Sequence, residues 1–289
     1  MSPGRRCLAR SWLFVPGDSA RKFERALQGE ADALIVDWED AVAPAAKVAA
    51  RAITVAALAA SKPDPARIWI RVNALASPWF ADDLAALPAG AVTGVVLPKA
   101  CGPADIERLG QALDAVEARA GLAPGHLRIV AIVTETAASV LALADFRRPL
   151  PRLTAMLWGG EDLAGDLGVA RNRDAAGHYR APFQLARSLT LLAAAAAECI
   201  AIDAVCVDFR DPDLLLAECA EARADGFTAK AAIHPDQLGP INQMFVATAQ
   251  EVAWAERVVA ALQDGGLAVV DGKMVDAPHL RLARRILAS

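Results

Sequence analysis

Acidic side chains follow several short apolar segments of this chain, and a few cations accompany them. Oxygen ligands of this kind suit Mg²⁺, Mn²⁺ or Ca²⁺ better than zinc. Carboxylates that converge in space repel each other unless a cation lies among them. The pattern therefore predicts a polar site that binds a metal through oxygen ligands. The residues that end or follow the apolar segments are Asp37, Glu39, Asp40, Arg71, Asn73, Lys99, Glu135, Glu161, Asp162, Asp208, Arg210, Asp211 and His234.

Each of these residues also has a purely structural interpretation. A carboxylate at the end of a strand often caps the next helix, and Asp40, Asp162 and Asp211 each fit that role. Arg71 fits a structural ion pair, and Lys99 fits a solvated loop lysine. The functional interpretation depends on all these residues occurring together. The four histidines have neither HxH nor HExxH spacing, which argues against a zinc hydrolase.

A second group of candidate residues follows the first apolar segment. That segment ends at Val15-Pro16-Gly17, and a helix is predicted to begin near Ser19. Arg21 and Lys22 would then place two cations beside the positive end of the helix dipole, which is unfavourable. Binding of a polyanion such as a phosphate group would compensate for this cost.

Eight short apolar segments alternate with longer, alanine-rich amphipathic segments. Nearly continuous apolar segments are typical of parallel strands that are covered on both faces, so the alternation predicts an α/β protein with a closed (β/α)₈ TIM barrel. An open doubly wound sheet would need a glycine-rich fingerprint after its first strand, and VPGDSARK does not match it. We predict a barrel domain over residues 1–250 and a C-terminal helical extension over 251–289. The predicted strands are 12–15, 33–36, 68–72, 92–97, 128–133, 153–158, 204–207 and 229–233.

The composition argues against several other classes of protein. The chain has 289 residues and a formal net charge of −4, and it lacks a long basic run, which argues against nucleic acid as a partner. No apolar run reaches the roughly 20 residues of a membrane span, and the first one stops at Pro16, unlike that of a signal peptide. Five cysteines without a CxxC pair suit a reducing compartment. These features predict a cytoplasmic protein that binds neither nucleic acid nor membrane.

Several segments together resemble the HpcH/HpaI aldolase and citrate lyase β-subunit superfamily. They lie in the family's order along nearly the whole chain, from about Ser11 to Leu287. The resemblance is greatest to the branch that cleaves β-hydroxyacyl-CoA esters, namely citryl-CoA, malyl-CoA and citramalyl-CoA lyases. It implies a (β/α)₈ barrel that assembles into a homotrimer or hexamer. The segments are LFVPGDSARK, IVDWEDAV, RVN, VVLPK, TETA, GGEDL, VDFRD, GFTAKAAIHPDQ and GKMVDAPH.

The resemblance implies a metal centre with defined residues. Glu135 of TETA and Asp162 of GGEDL would hold Mg²⁺, for which Mn²⁺ could substitute. Arg71 of RVN would contact oxygens of the substrate. Glu39 and Asp40 would hold waters that are bound to the metal.

The resemblance also implies residues that bind CoA, which here is part of the substrate. Arg21 and Lys22, beside the turn at Pro16 and Gly17, would contact the CoA phosphates. Asp276 of GKMVDAPH would act as the acid–base group. The C-terminal extension could bring this residue into its own site or complete the site of a neighbouring subunit.

The implied reaction is a reversible retro-Claisen cleavage, which converts a β-hydroxyacyl-CoA to a short acyl-CoA and a 2-oxo acid. Three alternatives remain open. One is a malyl-CoA-type thioesterase, and another is a citrate lyase-like subunit that acts on carrier-protein thioesters. The third is a CoA-independent class II 2-oxo acid aldolase. The absence of any histidine before His126 argues against this third alternative.

Three residues depart from the usual family pattern. Trp38 replaces the leucine of DLEDAV and would add bulk beside the site. Ser139 replaces the glycine of ETAxG, and Ala229 replaces the glycine of TGK. Because glycine lets a ligand or backbone approach closely, we expect these changes to narrow the pocket and to affect the choice of substrate.

Overall fold

A computed structural model describes residues 9–175, 177–263 and 265–288. Eight parallel strands form a closed barrel, in which each strand pairs with the next and the eighth pairs with the first. This topology confirms the predicted (β/α)₈ barrel. The strands are β1 (Ser11–Pro16), β2 (Ala33–Asp37), β3 (Ile68–Arg71), β4 (Gly94–Leu97), β5 (Arg128–Ile132), β6 (Leu153–Leu157), β7 (Ile200–Asp203) and β8 (Ala229–Ala232).

The strand register places polar strand ends side by side. Pro16 at the end of β1 pairs with Asp37 at the end of β2, and Asp37 pairs with Arg71 at the end of β3. Strands β2, β3 and β4 are buried at every residue, as expected for parallel strands that are covered on both faces. The polar side chains at the carboxyl ends of the strands therefore meet on one rim of the barrel.

Helices follow the strands, and local capping explains where several of them begin. Ser19 caps α1 by accepting from the Lys22 N–H, and Asp211 caps α8 by accepting from the Leu214 N–H. Thr136 and Ser139 form a capping box at the start of α5, directly after Glu135. The helices of this unit are α1 (Ala20–Leu27), α2 (Lys47–Ser61), α3 (Phe80–Ala86), α4 (Pro103–Ala120), α5 (Ala137–Ala142), α6 (Glu161–Asp166), α7 (Ala181–Ala196), α8 (Pro212–Asp225) and α9 (Leu238–Met244).

The predicted position of the seventh strand, 204–207, is wrong. Helix α7 ends at Ala196, and Glu198 takes a left-handed backbone with φ of 53°, so the chain turns earlier than the alanine-rich pattern indicates. Strand β7 begins at Ile200 and ends at Asp203. A charged residue inside an apolar run looks like the edge of a strand, but Asp203 is buried within the fold.

A buried ion network explains how Asp203 is accommodated. Its carboxylate accepts from Lys230 Nζ on β8 at 2.7 Å and from Trp158 Nε1 at 2.7 Å. Lys230 Nζ also lies 3.0 Å from Glu218 of α8, and Arg187 of α7 lies 3.1 Å from Asp203. Buried charges of this kind need partners on several sides, and here they join β7 and β8 to the helices that cover them.

The chain forms two compact units, and the barrel unit comprises residues 10–244. The described part of the other unit contains α10 (Ala249–Ala261), the antiparallel strands β9 (Ala268–Val270) and β10 (Lys273–Val275), and α11 (Ala277–Ala288). The predicted helical extension therefore contains two helices and also a pair of short antiparallel strands. The unit has its own small apolar core, which comprises Ala255, Val258, Leu262, Val270, Val275 and Ala283.

None of the helices in the described ranges is long and apolar enough to cross a membrane.

Candidate active site

Asp37 and Arg71 form a buried ion pair at the ends of β2 and β3. The two carboxylate oxygens of Asp37 accept from Arg71 Nε at 2.7 Å and from Arg71 Nη2 at 2.6 Å. Asp37 also accepts from the backbone N–H groups of Glu39 and Ala41. Burial alone would raise the pKa of Asp37, but the hydrogen bonds and charge of Arg71 outweigh it and hold this pKa below its usual range. Asp37 therefore fixes the guanidinium in one orientation.

Glu39 lies between two cations on the same rim. Lys99 Nζ donates to Glu39 Oε1 at 2.5 Å, and Arg71 Nη1 lies 3.2 Å from Glu39 Oε2. Glu39 is only 6% exposed, and burial raises the pKa of its carboxyl group despite both cations. The neighbouring Asp40 is 53% exposed at its side chain and lies 3.5 Å from Lys99 Nζ.

Glu135 follows β5 and is buried. One of its oxygens accepts from the backbone N–H of Lys99. Burial and the neighbouring charge of Asp162 raise the pKa of Glu135 to about 8. Positive charge near this carboxyl group would oppose the shift by favouring its charged form.

Asp162 lies in the first turn of the short helix α6, and its Oδ1 is 3.7 Å from Lys99 Nζ. The residue at the N-cap position of α6 is Gly160, so Asp162 is not the helix cap. Asp211, in contrast, caps α8. The structural alternative considered for these acids therefore holds for Asp211 and not for Asp162.

The carboxylates on this rim fit a divalent cation. One oxygen each from Glu39, Asp40 and Glu135 lie within 4.8 Å of one another. Among the described residues, Glu39 Oε2 is a buried side-chain oxygen that accepts no hydrogen bond. A hard ion with oxygen ligands would satisfy that atom and would favour the charged form of Glu135. The resemblance implied Glu135 and Asp162 as ligands, whereas the oxygens that lie together belong to Glu39, Asp40 and Glu135, and Asp162 is outside this group.

Backbone contacts hold the Asp37–Asp40 segment in place. Lys47 Nζ donates to the carbonyl oxygens of Trp38 at 2.9 Å and of Glu39 at 3.0 Å. Asn73 Nδ2 donates to the same Trp38 oxygen at 3.0 Å and to Asp83 at 2.7 Å. Since these donors are buried, the segment that carries Glu39 has little freedom to move.

The turn after β1 has a packing role that the sequence analysis did not foresee. A Cβ atom on Gly17 would lie 2.6 Å from Trp38 Cδ1 and 2.7 Å from the Asp37 carbonyl oxygen, so only glycine fits there. Trp38 is buried, and its Nε1 donates to Thr54. The expectation that Trp38 adds bulk beside the site is therefore wrong, because the indole packs beneath this turn.

The expected narrowing of the pocket by Ser139 and Ala229 is also wrong. The hydroxyl of Ser139 donates to the Thr136 carbonyl oxygen at 2.7 Å and serves the cap of α5. Ala229 is fully buried in β8. Both side chains are used within the barrel wall and its helix cap.

The remaining predicted residues lie in two places. Arg21 and Lys22 are exposed in the first turn of α1, directly after the Pro16-Gly17 turn. Asp276 lies in the other compact unit, immediately before α11. Its Oδ1 is 2.7 Å from Nδ1 of His279 one turn later, a pairing that the sequence analysis missed although the three-residue spacing is typical of neighbours on a helix.

Lys99 was expected on the polar rim, but the sequence assigned it no specific role. Its Nζ contacts Glu39, Asp40 and Asp162, and its backbone N–H contacts Glu135. The sequence placed Lys99 at the end of a strand, where a solvated loop lysine was an equally good interpretation. The VVLPK segment indicated a functional role for Lys99. Only the backbone geometry distinguishes that role from the role of a solvated lysine.

The fold and the site define the chain as a (β/α)₈-barrel protein with a carboxylate-rich centre on the carboxyl rim. Residues 10–235 match the HpcH/HpaI aldolase/citrate lyase family, and the chain belongs to that family.

Known relatives resemble the chain over nearly its whole length. A citrate lyase subunit beta-like protein of Mycobacterium tuberculosis is 37% identical over 283 residues, which is 98% of this chain and 96% of the relative. A (3S)-malyl-CoA thioesterase of Cereibacter sphaeroides is 36% identical over 284 residues, which is 96% of this chain and 93% of the relative. The crystal structure of M. tuberculosis CitE with magnesium, acetoacetate and coenzyme A has a TM-score of 0.76 at 37% identity and covers 98% of each chain.

Proposed function

We propose that this protein is a Mg²⁺-dependent carbon–carbon lyase that cleaves or forms a β-hydroxyacyl-CoA such as citramalyl-CoA, malyl-CoA or citryl-CoA. The products of cleavage are a short acyl-CoA and a 2-oxo acid. The observation that carries this proposal is the group of two buried carboxyl groups and one exposed carboxyl group beside the fixed guanidinium of Arg71. The relatives and the magnesium- and CoA-bound neighbour support the class of chemistry.

Glu135 and Asp162 are the proposed metal ligands, and Glu39 and Asp40 hold waters of the ion. Few protein ligands suffice, since Mg²⁺ usually retains waters and binds substrate oxygens. When bound, the ion supplies Lewis-acid stabilisation of the oxygens on the oxo-acid half of the substrate. The raised pKa of Glu135 agrees with this assignment, because a buried carboxyl group of that kind gains its charge in the presence of a cation.

Arg71 is proposed to stabilise negative charge that develops on a substrate oxygen. Asp37 occupies Nε and Nη2 of the guanidinium, while Nη1 faces Glu39 and Asp40 at 3.2 and 3.9 Å. A donor that is fixed before the reaction needs no reorganisation during it, which is the source of electrostatic catalysis. The pair with Asp37 thus makes Arg71 a preorganised group.

Arg21 and Lys22 are proposed to bind the CoA phosphates beside the turn at Pro16 and Gly17. Both cations are exposed in the first turn of α1, where the backbone N–H groups also favour anions. The tight packing of Gly17 against Trp38 fixes the path of the chain into this helix.

Asp276 is proposed as the acid–base group. In cleavage, Asp276 would accept the proton of the substrate hydroxyl group, the carbon–carbon bond would break, and Asp276 would return the proton to the α-carbon of the departing acyl-CoA. In the direction of synthesis Asp276 would remove the α-proton and return it to the oxygen of the 2-oxo acid. His279 holds the Asp276 carboxylate at 2.7 Å and thereby orients it.

A thioesterase acting on malyl-CoA is the second candidate function, because one of the relatives is such an enzyme. It would use the same cation and CoA sites but would break the thioester bond. A subunit that acts on carrier-protein thioesters and a CoA-independent aldolase are further alternatives. We propose a homotrimer or hexamer as the assembly and the cytoplasm as the location.

A product assay separates these functions. Malyl-CoA, citramalyl-CoA and citryl-CoA are each incubated with the protein and Mg²⁺, with EDTA as the control, and acetyl-CoA, free CoA and 2-oxo acid are quantified together. The lyase proposal expects acetyl-CoA and 2-oxo acid in equal amounts, and only with Mg²⁺. Free CoA with intact hydroxy acid would identify a thioesterase instead. If no ester is converted, carrier-protein thioesters or the CoA-independent aldol reaction become the remaining candidates.

A further inference from the structure

Lys99 has an unusual backbone for a residue with a side chain. Its φ of 53° lies in the left-handed region, which residues other than glycine, asparagine and aspartate rarely adopt. Strain of this kind persists where the surrounding structure enforces it and is common at functional sites. Here the enforcing contacts are visible, since the N–H of Lys99 donates to Glu135 and the N–H of Ala100 donates to the Ile132 carbonyl oxygen at 3.1 Å.

The strained backbone brings the ammonium group to the centre of the carboxylates. Lys99 Nζ lies 2.5 Å from Glu39 Oε1, 3.5 Å from Asp40 Oδ2 and 3.7 Å from Asp162 Oδ1. These oxygens belong to the residues that would surround a divalent ion. An ammonium group of the chain itself therefore lies among the oxygens that would surround the ion.

The two cations would not share this position. Mg²⁺ would bind Asp162 directly and the oxygens of Glu39 and Asp40 through its waters, so an ammonium group on the same oxygens would compete for their lone pairs. Arg71 cannot move aside, because Asp37 holds it through two hydrogen bonds. The side chain of Lys99 is 33% exposed, so its flexible stem has a path to solvent.

We propose that Lys99 is a built-in counter-ion of the rim carboxylates and is displaced toward solvent when the divalent ion binds. This inference rests on the proposed function, because it takes the carboxylates of the rim as the metal site. Lys99 would then be a positioning residue that holds the carboxylates together before the ion arrives and lowers the affinity for the ion by competing with it.

Two other lysines of the chain provide internal controls. Lys62 also has a left-handed backbone, with φ of 45°, but it is exposed at the end of α2. Lys47 is buried and donates to the carbonyl oxygens of Trp38 and Glu39, not to the metal-binding carboxylates. Labelling of Lys99 therefore reports on displacement, labelling of Lys62 on changes in general exposure, and labelling of Lys47 on local unfolding.

The experiment measures the reactivity of each lysine toward a brief pulse of an amine-acetylating reagent, with and without Mn²⁺, by mass spectrometry of the full-length protein. We expect Mn²⁺ to raise the labelling of Lys99 by about fivefold or more, since its ammonium loses its partners and moves into solvent. Labelling of Lys62 should stay high and that of Lys47 should stay low in both states. Unchanged or reduced labelling of Lys99 when Mn²⁺ is bound would overturn the displacement.

The affinity for Mn²⁺, measured by the electron paramagnetic resonance of the free ion, supplies an independent readout. K99M should bind Mn²⁺ at least about tenfold more tightly than the unmodified chain, because a competing charge is removed, whereas K62M should bind it unchanged. Equal or weaker binding by folded K99M would contradict the proposal. If the unmodified chain binds no Mn²⁺, the metal site of the proposed function fails together with this inference. Binding of Mn²⁺ without displacement would overturn the inference alone.

Discussion

At the scale of single residues, the same few side chains both build the rim and give it its chemistry. Asp37 orients Arg71, and Lys47 holds the backbone that carries Glu39. Charges that are buried without partners are costly, so each of these groups is placed where another compensates it. Glu39, Asp40 and Glu135 are the exception in their spacing, since one oxygen of each lies within 4.8 Å of the others. A divalent ion among these oxygens would favour the charged form of all three groups.

Removing either proposed ligand should abolish metal-dependent turnover without unfolding the barrel. We expect E135A and D162A to lose most of their Mn²⁺ affinity and their activity by about a hundredfold or more, while circular dichroism remains unchanged. E161Q is the matched control, because Glu161 is the carboxylate next to Asp162 and its partner is Asn172. Full activity in E135A or D162A would refute the metal assignment.

Asp276 and His279 should act as a pair. We expect D276A to lower kcat far more than KM, because proton transfer is lost while binding is retained. H279A should lower kcat by about tenfold through a misoriented carboxylate, and it should have no further effect in the D276A background. An additional loss in the double variant, or an unchanged kcat for D276A, would show that these residues do not act together in proton transfer.

The sequence predicted the site residues that belong to recognisable segments, and it missed those whose role depends on three-dimensional placement. Glu135, Asp162 and Arg71 were predicted from the residues that end apolar segments and from the family resemblance. Lys99 could not be distinguished from a surface lysine, because its position depends on a left-handed backbone. Asp203 was not predicted as buried, since its partners come from distant parts of the chain.

At the scale of elements, apolar runs predicted seven of the eight barrel strands to within two residues, and the failure has a physical cause. Alanine favours helix wherever it occurs, so the alanine-rich segment Ala193–Ala197 gives no sign that the chain turns at Glu198. Glu198 takes a left-handed backbone, and the burial of Asp203 depends on partners from other parts of the chain. Local propensity therefore placed β7 four residues too late.

A clamp between α4 and the segments beside β5 and β6 should make stability depend on pH. Glu117 of α4 is 1% exposed and lies 2.6 Å from Arg152, and it also accepts from the N–H groups of Gly125 and Leu127. The hydrogen bonds from Arg152 lower the pKa of Glu117 from 4.5 to about 2. Because the folded-state pKa is depressed, this contribution is complete above pH 4.5 and is lost as the pH falls toward 2.

We expect the unmodified chain to lose its advantage in unfolding free energy over E117Q as the pH falls. Between about pH 6 and pH 3.5 the difference in unfolding free energy between the unmodified chain and E117Q should shrink by about 1.4 kcal/mol, as measured by urea denaturation. E107Q is the matched control, because Glu107 lies on the same helix but its ion pair with Arg148 is exposed. A gap for E117Q that stays constant over this range would show that the clamp does not hold the carboxylate in its charged form.

At the scale of the whole molecule, the candidate residues are divided between two compact units. The barrel carries the carboxylates, Arg71 and Lys99, whereas Asp276 and His279 belong to a unit with its own small core. The barrel residues come from the ends of five consecutive strands, β2 to β6, so the site depends on closure of the barrel. The proposed acid–base step therefore requires that the C-terminal unit, here called the tail, brings Asp276 to the carboxylates of a barrel, either in the same chain or in a neighbouring subunit.

Mixing two inactive variants decides between these arrangements. In the inter-subunit arrangement, each site of a symmetric ring of subunits combines one chain's barrel with the next chain's tail. When equal amounts of D276A and E135A are unfolded and refolded together, about one site in four should then contain an intact barrel and an intact tail, and about a quarter of the activity should return. The control is a mixture of E135A and D162A, which should stay inactive because both lesions lie in the barrel. A mixture of D276A and E135A that forms mixed oligomers but stays inactive would place Asp276 in the site of its own chain.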